Sequence, residues 1–371
     1  MARVSYTELK SQVASIVTKA KISNKDFEVT KNNIVGLVDK IGKIYTLDTN
    51  FAIDKLSFMD AEFLSFGKTI EEWSQDLIKV QEYDEEGKDF GKPNFPTYRP
   101  TYYSYTTGRR KVKTSLLMGN IEKAVHDYGE LNEIVSTQIK RISDSYAQYK
   151  YALKRELLGK GLDLVTSTLT EATPYATGSE YEVNALMSQG GVTYIAVKPV
   201  TTEANTSLND LLSNGYVVAL DLIKEIAKPT TTETGEDFIE AVKSDLEKAS
   251  DSSEGHSLNG NTLGATESLV LIVKQGVIPA VEVKTYAGAF NRDDVTIPAT
   301  IHVVKDFGTA SSEYYAILTD SRTFRAFLTY EATREDSNGD GDFVNIIRHF
   351  EHTLAMSRNT FIRVYKEPTG I

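Results

Sequence analysis

The sequence predicts an α+β fold, and three of its features carry that prediction. One stretch, Glu130 to Leu158, places apolar residues at three- and four-residue steps along its whole length. Beyond Leu164, short β-rich runs alternate with helical stretches, and from residue 300 onward strands dominate. Strands interspersed with helices, with no internal repeat or low-complexity tract, describe α+β organisation.

The elements follow in chain order. Ser5-Tyr6-Thr7-Glu8 fits a capping box, and Leu9, Val13, Ile16 and Val17 continue it at helical spacing, so a helix is expected over about 6–19. Ile34 to Ile44 is apolar but broken by two glycines, which suits a short helix or an arm lying on a neighbour. Residues 51–65 carry enough Phe, Ile and Leu for a strand. Next comes an acidic limb with eight acids between Glu71 and Asp89 and the only tryptophan, Trp73. Residues 95–113 then form a basic limb with alternating tyrosines, five Lys or Arg, and no acid after position 98. Two extended limbs joined by a Gly/Pro/Asn-rich turn predict a long hairpin, and a lone two-stranded hairpin is marginal in water. It is therefore expected to lie against something else.

In Glu130 to Leu158 the apolar stripe runs Leu131, Ile134, Val135, Ile139, Ile142, Tyr146, Tyr149, Leu153 and Leu157, with charges on the other face. Gly159 and Gly161 are expected to stop this helix, giving a rod of roughly 44 Å. Strands are expected at 192–198 and 268–274, and helices at Leu208–Leu212, at Phe238–Leu246 and from Pro279 through Phe290. The stretch 249–266, ASDSSEGHSLNGNTLGAT, reads as a long, polar, mobile loop. After it come the strands TIHVV, EYYAILT, TFRAFLTY, FVNIIRHF and TFIRVY.

Composition bounds function. With 371 residues, 40% of them hydrophobic and 25% charged, a substantial core is expected. A net charge of −11 argues against general nucleic-acid binding, which concentrates Lys and Arg to neutralise phosphate. The absence of cysteine excludes disulfides and thiolate chemistry. No apolar h-region opens the sequence and no run of about 18 apolar residues exists, so a soluble protein without a membrane partner is expected. Twenty tyrosines suit either an aromatic core or protein interfaces.

No motif for chemistry withstands its simpler explanation. Gly255-His256-Ser257-Leu258-Asn259 nearly matches a nucleophile elbow, but its final Gly is Asn and no strand leads into it. His349 and His352 alternate with a strand pattern that puts them on opposite faces. Asp336, Asn338 and Asp340, with Gly341 after them, resemble the start of a calcium loop, yet its twelfth position is Ile347; a solvated hairpin turn explains the segment better than a weak cation site. The acids of 71–89 lack an apolar surround to raise a pKa. Neither an enzyme nor a cofactor is expected.

Several short motifs recur here in a familiar order: RVSYTELK at the start, LVDKIG at 37–42, FGKTIEE at 66–72, YDEE at 83–86, KTSLLMGNIEK before the long helix and AGAFNRDD at 287–294. Together they resemble the major capsid proteins of small short-tailed phages of the Picovirinae type, which adopt the HK97 fold. The resemblance implies an N-terminal arm over 1–50, an extended E-loop hairpin over 51–114 and a P-domain spine helix over 115–165. It further implies an A-domain over 166–320 and P-domain strands returning to the A-domain over 321–371. It makes the neighbouring copy the hairpin's partner, within hexamers and pentamers of an icosahedral shell around double-stranded DNA bound without sequence specificity. Scaffolding, portal or decoration proteins are the further partners implied, and closure is expected to be noncovalent. The expected intersubunit residues are Glu71, Glu72, Trp73, Glu85, Tyr102, Tyr103, Arg109, Arg110 and Lys111. The nearest rival is an encapsulin-like nanocompartment shell, and a more distant one is a soluble α+β hydrolase or binding protein.

Overall fold

The computed structural model describes residues 54–65, 67–75, 98–102, 104–117, 128–201, 206–278, 297, 299–310, 312–338, 340–341 and 343–368. The helix expected over 6–19, the Ile34–Ile44 stretch and the helix expected from Pro279 lie outside them. The described chain divides into two compact units. One contains Thr107–Tyr151 and Leu328–His352; the other contains Lys55–Thr106, Ala152–Phe327 and Thr353–Ile371.

A 3-10 turn, Ser57–Met59, precedes β1 (Asp60–Phe63), so of the strand expected over 51–65 the described residues 54–65 are extended only at Asp60–Phe63. The reason is a buried lysine. Lys154 is fully buried, and its ammonium donates to the Leu56 carbonyl at 2.9 Å and pairs with Asp60 at 2.7 Å, which holds this stretch coiled around it. Buried charge is tolerated only with such partners.

The hairpin limbs follow as β2 (Glu71–Gln75) and β3 (Tyr98–Tyr102), which pair antiparallel. β4 (Ser104–Thr106) and β5 (Arg110–Leu117) continue the second limb. Both then join one long strand of this same chain. That strand, β17 (Phe343–Met356), takes β5 along Phe343 to Phe350 and β4 along Thr353 to Ala355. Its hairpin partner, β16 (Phe324–Asn338), lies between β17 and β1 in the sheet order.

Helix α1 runs from Tyr128 to Thr170, 43 residues and about 65 Å. Gly159 and Gly161 do not stop it, contrary to the sequence-based expectation. They sit where the helix is closely approached by neighbouring segments: a Cβ on Gly159 would stand 2.5 Å from the Phe307 carbonyl oxygen, and one on Gly161 2.6 Å from the Phe324 ring. Glycine here serves close approach rather than termination. In the first unit Tyr146 and Tyr149 of the predicted stripe meet β17. The Tyr146 and Tyr149 rings lie 4.8 and 5.2 Å from that of Phe350, and the Tyr146 hydroxyl is 3.0 Å from His352 Nε2. In the second unit Leu153, Leu157 and Leu158 are buried.

A small subdomain follows α1. The strands β6 (Thr173–Pro174), β8 (Leu186–Gln189), β9 (Val192–Ala196) and β11 (Val217–Leu220) make one sheet in the order β11-β9-β8-β6. β7 (Glu180–Tyr181) and β10 (Val200–Thr201) pair separately. Helix α2 (Leu208–Ser213), capped by Ser207, packs Leu208 and Leu211 with Met187, Val200 and Val217.

The main core of the second unit is a five-stranded sheet. Its order is β12 (Ile223–Glu225), β18 (Ile362–Lys366), β15 (Tyr314–Asp320), β13 (Leu269–Lys274) and β14 (Thr300–Val304). Every residue of β15 is buried, as befits a strand covered on both faces. Helix α3 (Thr232–Ser250) lays Phe238, Ile239, Val242 and Leu246 against Leu271, Val273, Tyr315 and Leu318. Each such side chain contributes about 1.5–3 kcal/mol by leaving water. A bulge between Tyr314 and Ala316 lets the adjacent Tyr315 and Ala316 both enter this core.

Replacing Gly159 with Ala tests the close-approach reading. Helix propensity alone favours Ala by up to about 1 kcal/mol. The clash with the Phe307 carbonyl should reverse the sign, lowering stability by about 1–3 kcal/mol in chemical denaturation.

Candidate functional site

The most distinctive local geometry lies at the root of the β2–β3 hairpin. Successive strand residues face opposite sides, so Glu72 and Ser74 share one face while Glu71 and Trp73 share the other. The Glu72/Ser74 face is bonded to its own body. Ser357 Oγ donates to Glu72 Oε1 at 2.8 Å, and Asn261 Nδ2 donates to Ser74 Oγ at 2.7 Å. Trp73, on the opposite face, leaves 64% of its surface in water. A shallow groove beside Glu71 and Glu72 is lined by Ile70, Arg322, Arg325, Phe327 and Met356.

Asn261 belongs to the stretch expected to be a mobile loop, and here the structure corrects the sequence. Ser253, His256, Ser257, Leu258, Asn259 and Asn261 are all buried. Backbone bonds pin the loop at both ends: Ser253 and Leu263 exchange N–H···O bonds at 2.9 and 2.8 Å, and the Asn259 N–H reaches the Arg358 carbonyl at 3.2 Å. The Asn359 Oδ1 accepts from Asn259 Nδ2 and Asn261 Nδ2, both at 2.7 Å. Gly255, at φ +80°, leaves no room for a side chain, since a Cβ would stand 2.1 Å from the Ala219 carbonyl oxygen. The loop is polar because its partners are polar and inside, not because it is solvated.

The near-match to a nucleophile elbow falls within this loop. Ser257 is fully buried, and its Oγ accepts the Asn261 N–H at 2.9 Å, so it acts as a turn brace. Beneath the loop, Arg363 pairs with Asp221 and, at 3.2 Å, with Asp245, to which the Tyr365 hydroxyl also donates at 2.9 Å. Burial works to raise the Asp221 pKa, but the hydrogen bond and charge of Arg363, helped by Lys248, hold it below the usual carboxylate value. Burial and the adjacent Asp245 carboxylate push the Tyr365 phenol well up. These groups form a charge-balanced support for the loop.

The basic residues singled out by sequence lie on and beside β5. Arg109 has a partner within its own unit: its Nε is 3.3 Å from Glu351 Oε2, and its guanidinium stacks 4.3 Å over Tyr330. Arg110 and Lys111 are exposed and stand opposite Phe350 and His349 in register. Tyr102 pairs with Glu71 through the backbone, while Glu85 and Tyr103 lie outside the described residues. At the β16–β17 turn, Asp336 accepts a 3.4 Å hydrogen bond from Asn345 Nδ2, Asn338 ends β16, and Asp340 is exposed. Among the described residues no three His, Asp or Glu side chains gather as metal ligands. His349 and His352 stand on β17, as the alternating pattern predicted.

Comparison with known proteins gives this geometry its setting. The family model for the phi29-like phage major capsid protein matches residues 4–365. The chain belongs to that family. It is therefore a shell-forming phage major capsid protein, which decides against the nanocompartment and hydrolase readings. No curated protein sequence matches it. Among solved structures, a chain of the capsid of Staphylococcus phage Andhra is similar at TM-score 0.53 and 11% identity, over 88% of this chain and 89% of that one. A chain from the structure of the head fiber and inner core protein gp22 of bacteriophage P68 is similar at TM-score 0.50 and 10% identity, over 88% and 89%. At such identities the likeness is one of fold, and the fold is the HK97-like α+β capsid fold.

The capsid protein's Asn261, Ser357 and Asn359 were not singled out by sequence. Their one signal is the density of Asn, Ser and Gly in 252–261, which a surface loop shares. A double-mutant cycle of Ser74→Ala with Asn261→Ala should show a coupling of about 1 kcal/mol. Additive effects would mean that the contact does not hold the hairpin root.

Proposed function

We propose that copies of this chain close an icosahedral shell of hexamers and pentamers, with the outward face of the β2–β3 hairpin seated on a neighbouring copy. One observation carries the reading: Glu72 and Ser74 are bonded to their own body, whereas Trp73 on the opposite face remains 64% exposed. A tryptophan buried at an interface is worth several kcal/mol by area, at about 25 cal/mol per Å². Repeated over every subunit, that suffices alongside exposed ion pairs of about 0–1 kcal/mol each. Glu71, Trp73, Glu85, Tyr102, Tyr103, Arg110 and Lys111 are the proposed contact residues. Glu72 and Arg109 have intrachain roles as well.

The proposal extends to the cargo and the parts. The shell holds the double-stranded DNA of a short-tailed phage of the Picovirinae type and is assembled in the host cytoplasm with scaffolding, portal or decoration proteins. A net charge of −11 keeps the wall from gripping phosphate during packaging and ejection. The domain scheme of arm (1–50), E-loop hairpin (51–114), spine helix (115–165), A-domain (166–320) and returning strands (321–371) is retained. The pairing of β18 with β12 and β15 supports the return of the last strand to the A-domain.

Trp73→Ser combined with Arg110→Glu and Lys111→Glu should leave a folded protein that forms no closed shells in negative-stain microscopy. Arg109 is left out, because reversing it would set a carboxylate beside the buried Glu351 and test folding instead. Particles of normal size and yield would refute the contact. On a denaturing gel, wild-type shells should run as a single band near 41.2 kDa, and a ladder would refute noncovalent closure.

A further inference from the structure

His256 stands inside the loop that holds the hairpin root. Its ring is 6% exposed and stacks on Phe361 at 5.1 Å and 11°. Among the described residues neither ring nitrogen has a hydrogen-bond partner. The nearest carboxylate oxygen, Asp221 Oδ2, is 3.8 Å from Nε2, and Asp221 is already engaged by Arg363. Charges face the ring from each element around it. Asp221 follows β11, Arg363 lies on β18, and Lys248 and Asp245 lie on α3. The two cations oppose a proton on the ring and the two carboxylates favour one.

The backbone on either side of the ring is bonded to different elements. The Gly255 carbonyl accepts from the Asp221 N–H and the His256 carbonyl from the Ile362 N–H, both at 2.9 Å. The imidazole thus fills the space between β18 and the end of β11, and five residues further on Asn261 reaches Ser74. A neutral ring fits this apolar stack. An imidazolium would be a buried cation beside Arg363, with no acceptor within hydrogen-bond reach among the described residues.

We propose that the loop 251–264 is an acid-sensitive latch on the hairpin: protonation of His256 opens the loop and releases Asn261 from Ser74. The inference concerns the attachment of the hairpin to its own body and stands whatever the outer face binds. Burial, followed by the charge of Arg363, holds the His256 pKa below its ordinary value of about 6.5. The open loop therefore takes up a proton before the closed one. Closure is fully favoured above about pH 6.5, and it weakens as pH falls from there toward the lower closed-state value, by up to about tenfold per pH unit. His302 is also depressed, by burial against a hydrogen bond to the Lys55 carbonyl, so the readout must be local to the loop.

Hydrogen–deuterium exchange of the full chain at about pH 8 and about pH 5.5, corrected for intrinsic exchange, supplies that readout. At the lower pH, peptides covering 251–264 and 71–75 should lose protection measurably, by up to roughly tenfold, while β13 and β15 keep theirs. His256→Gln should abolish this pH dependence in both segments. His256→Leu, which retains an apolar contact with Phe361, makes the same comparison if the Gln variant does not fold. Unchanged protection of 251–264 in the wild type between the two pH values would overturn the proposal. So would an equal loss in wild type and variant.

Discussion

Polar side chains carried out of water are costly unless they find hydrogen-bond partners inside, and that constraint organises the second unit of this capsid protein. The loop 251–264 carries Ser257, Asn259 and Asn261 out of water. Their partners come from three places far apart in sequence: Ser74 on β2, Arg358 and Asn359 after β17, and the loop's own backbone. An unpaired buried amide costs about 1–3 kcal/mol, so these groups hold one another in place. Because Ser74 is one of them, the root of the hairpin is fixed through one face, while Trp73 on the other is 64% exposed.

Beneath the loop the same logic operates with charge. Asp245 and Asp221 flank Arg363, with Lys224 and Lys248 within 4 Å of their carboxylates. The buried pair at the centre of this group, Arg363 and Asp245, adds little net stability, since desolvation offsets attraction, but removing either leaves the other's charge buried and short of a partner. Its effect is specificity of position: β18, α3 and the end of β11 meet in one arrangement. Lys154 does the same for residues 56–60. Fixed placement of backbone in this way does not depend on the strength of any one bond.

Much of the fold was legible because it rests on local periodicity. The apolar stripe of α1, the alternation in β17 and the hydrophobic runs of β13 and β15 all recur at the spacing their elements require. The errors share one cause. Gly159 and Gly161 look like stop signals, and 249–266 looks like a solvated loop, because composition reports what a residue permits and not what surrounds it. Arg109 was legible as a cation, but its pairing with Glu351 depends on a strand register spanning most of the chain.

The sequence by itself determined the α+β class, the long helix, the strand-rich end and the split of residues 71–113 into an acidic and a basic limb. These follow from side-chain periodicity and charge, which neighbours along the chain are enough to express. Only the tertiary structure decided which face of β2 is spent on its own body, and that α1 continues past two glycines. Only it decided that an Asn-rich loop is interior. Each of those depends on groups distant in sequence meeting within hydrogen-bond or van der Waals range, and such distances arise only once the chain has folded.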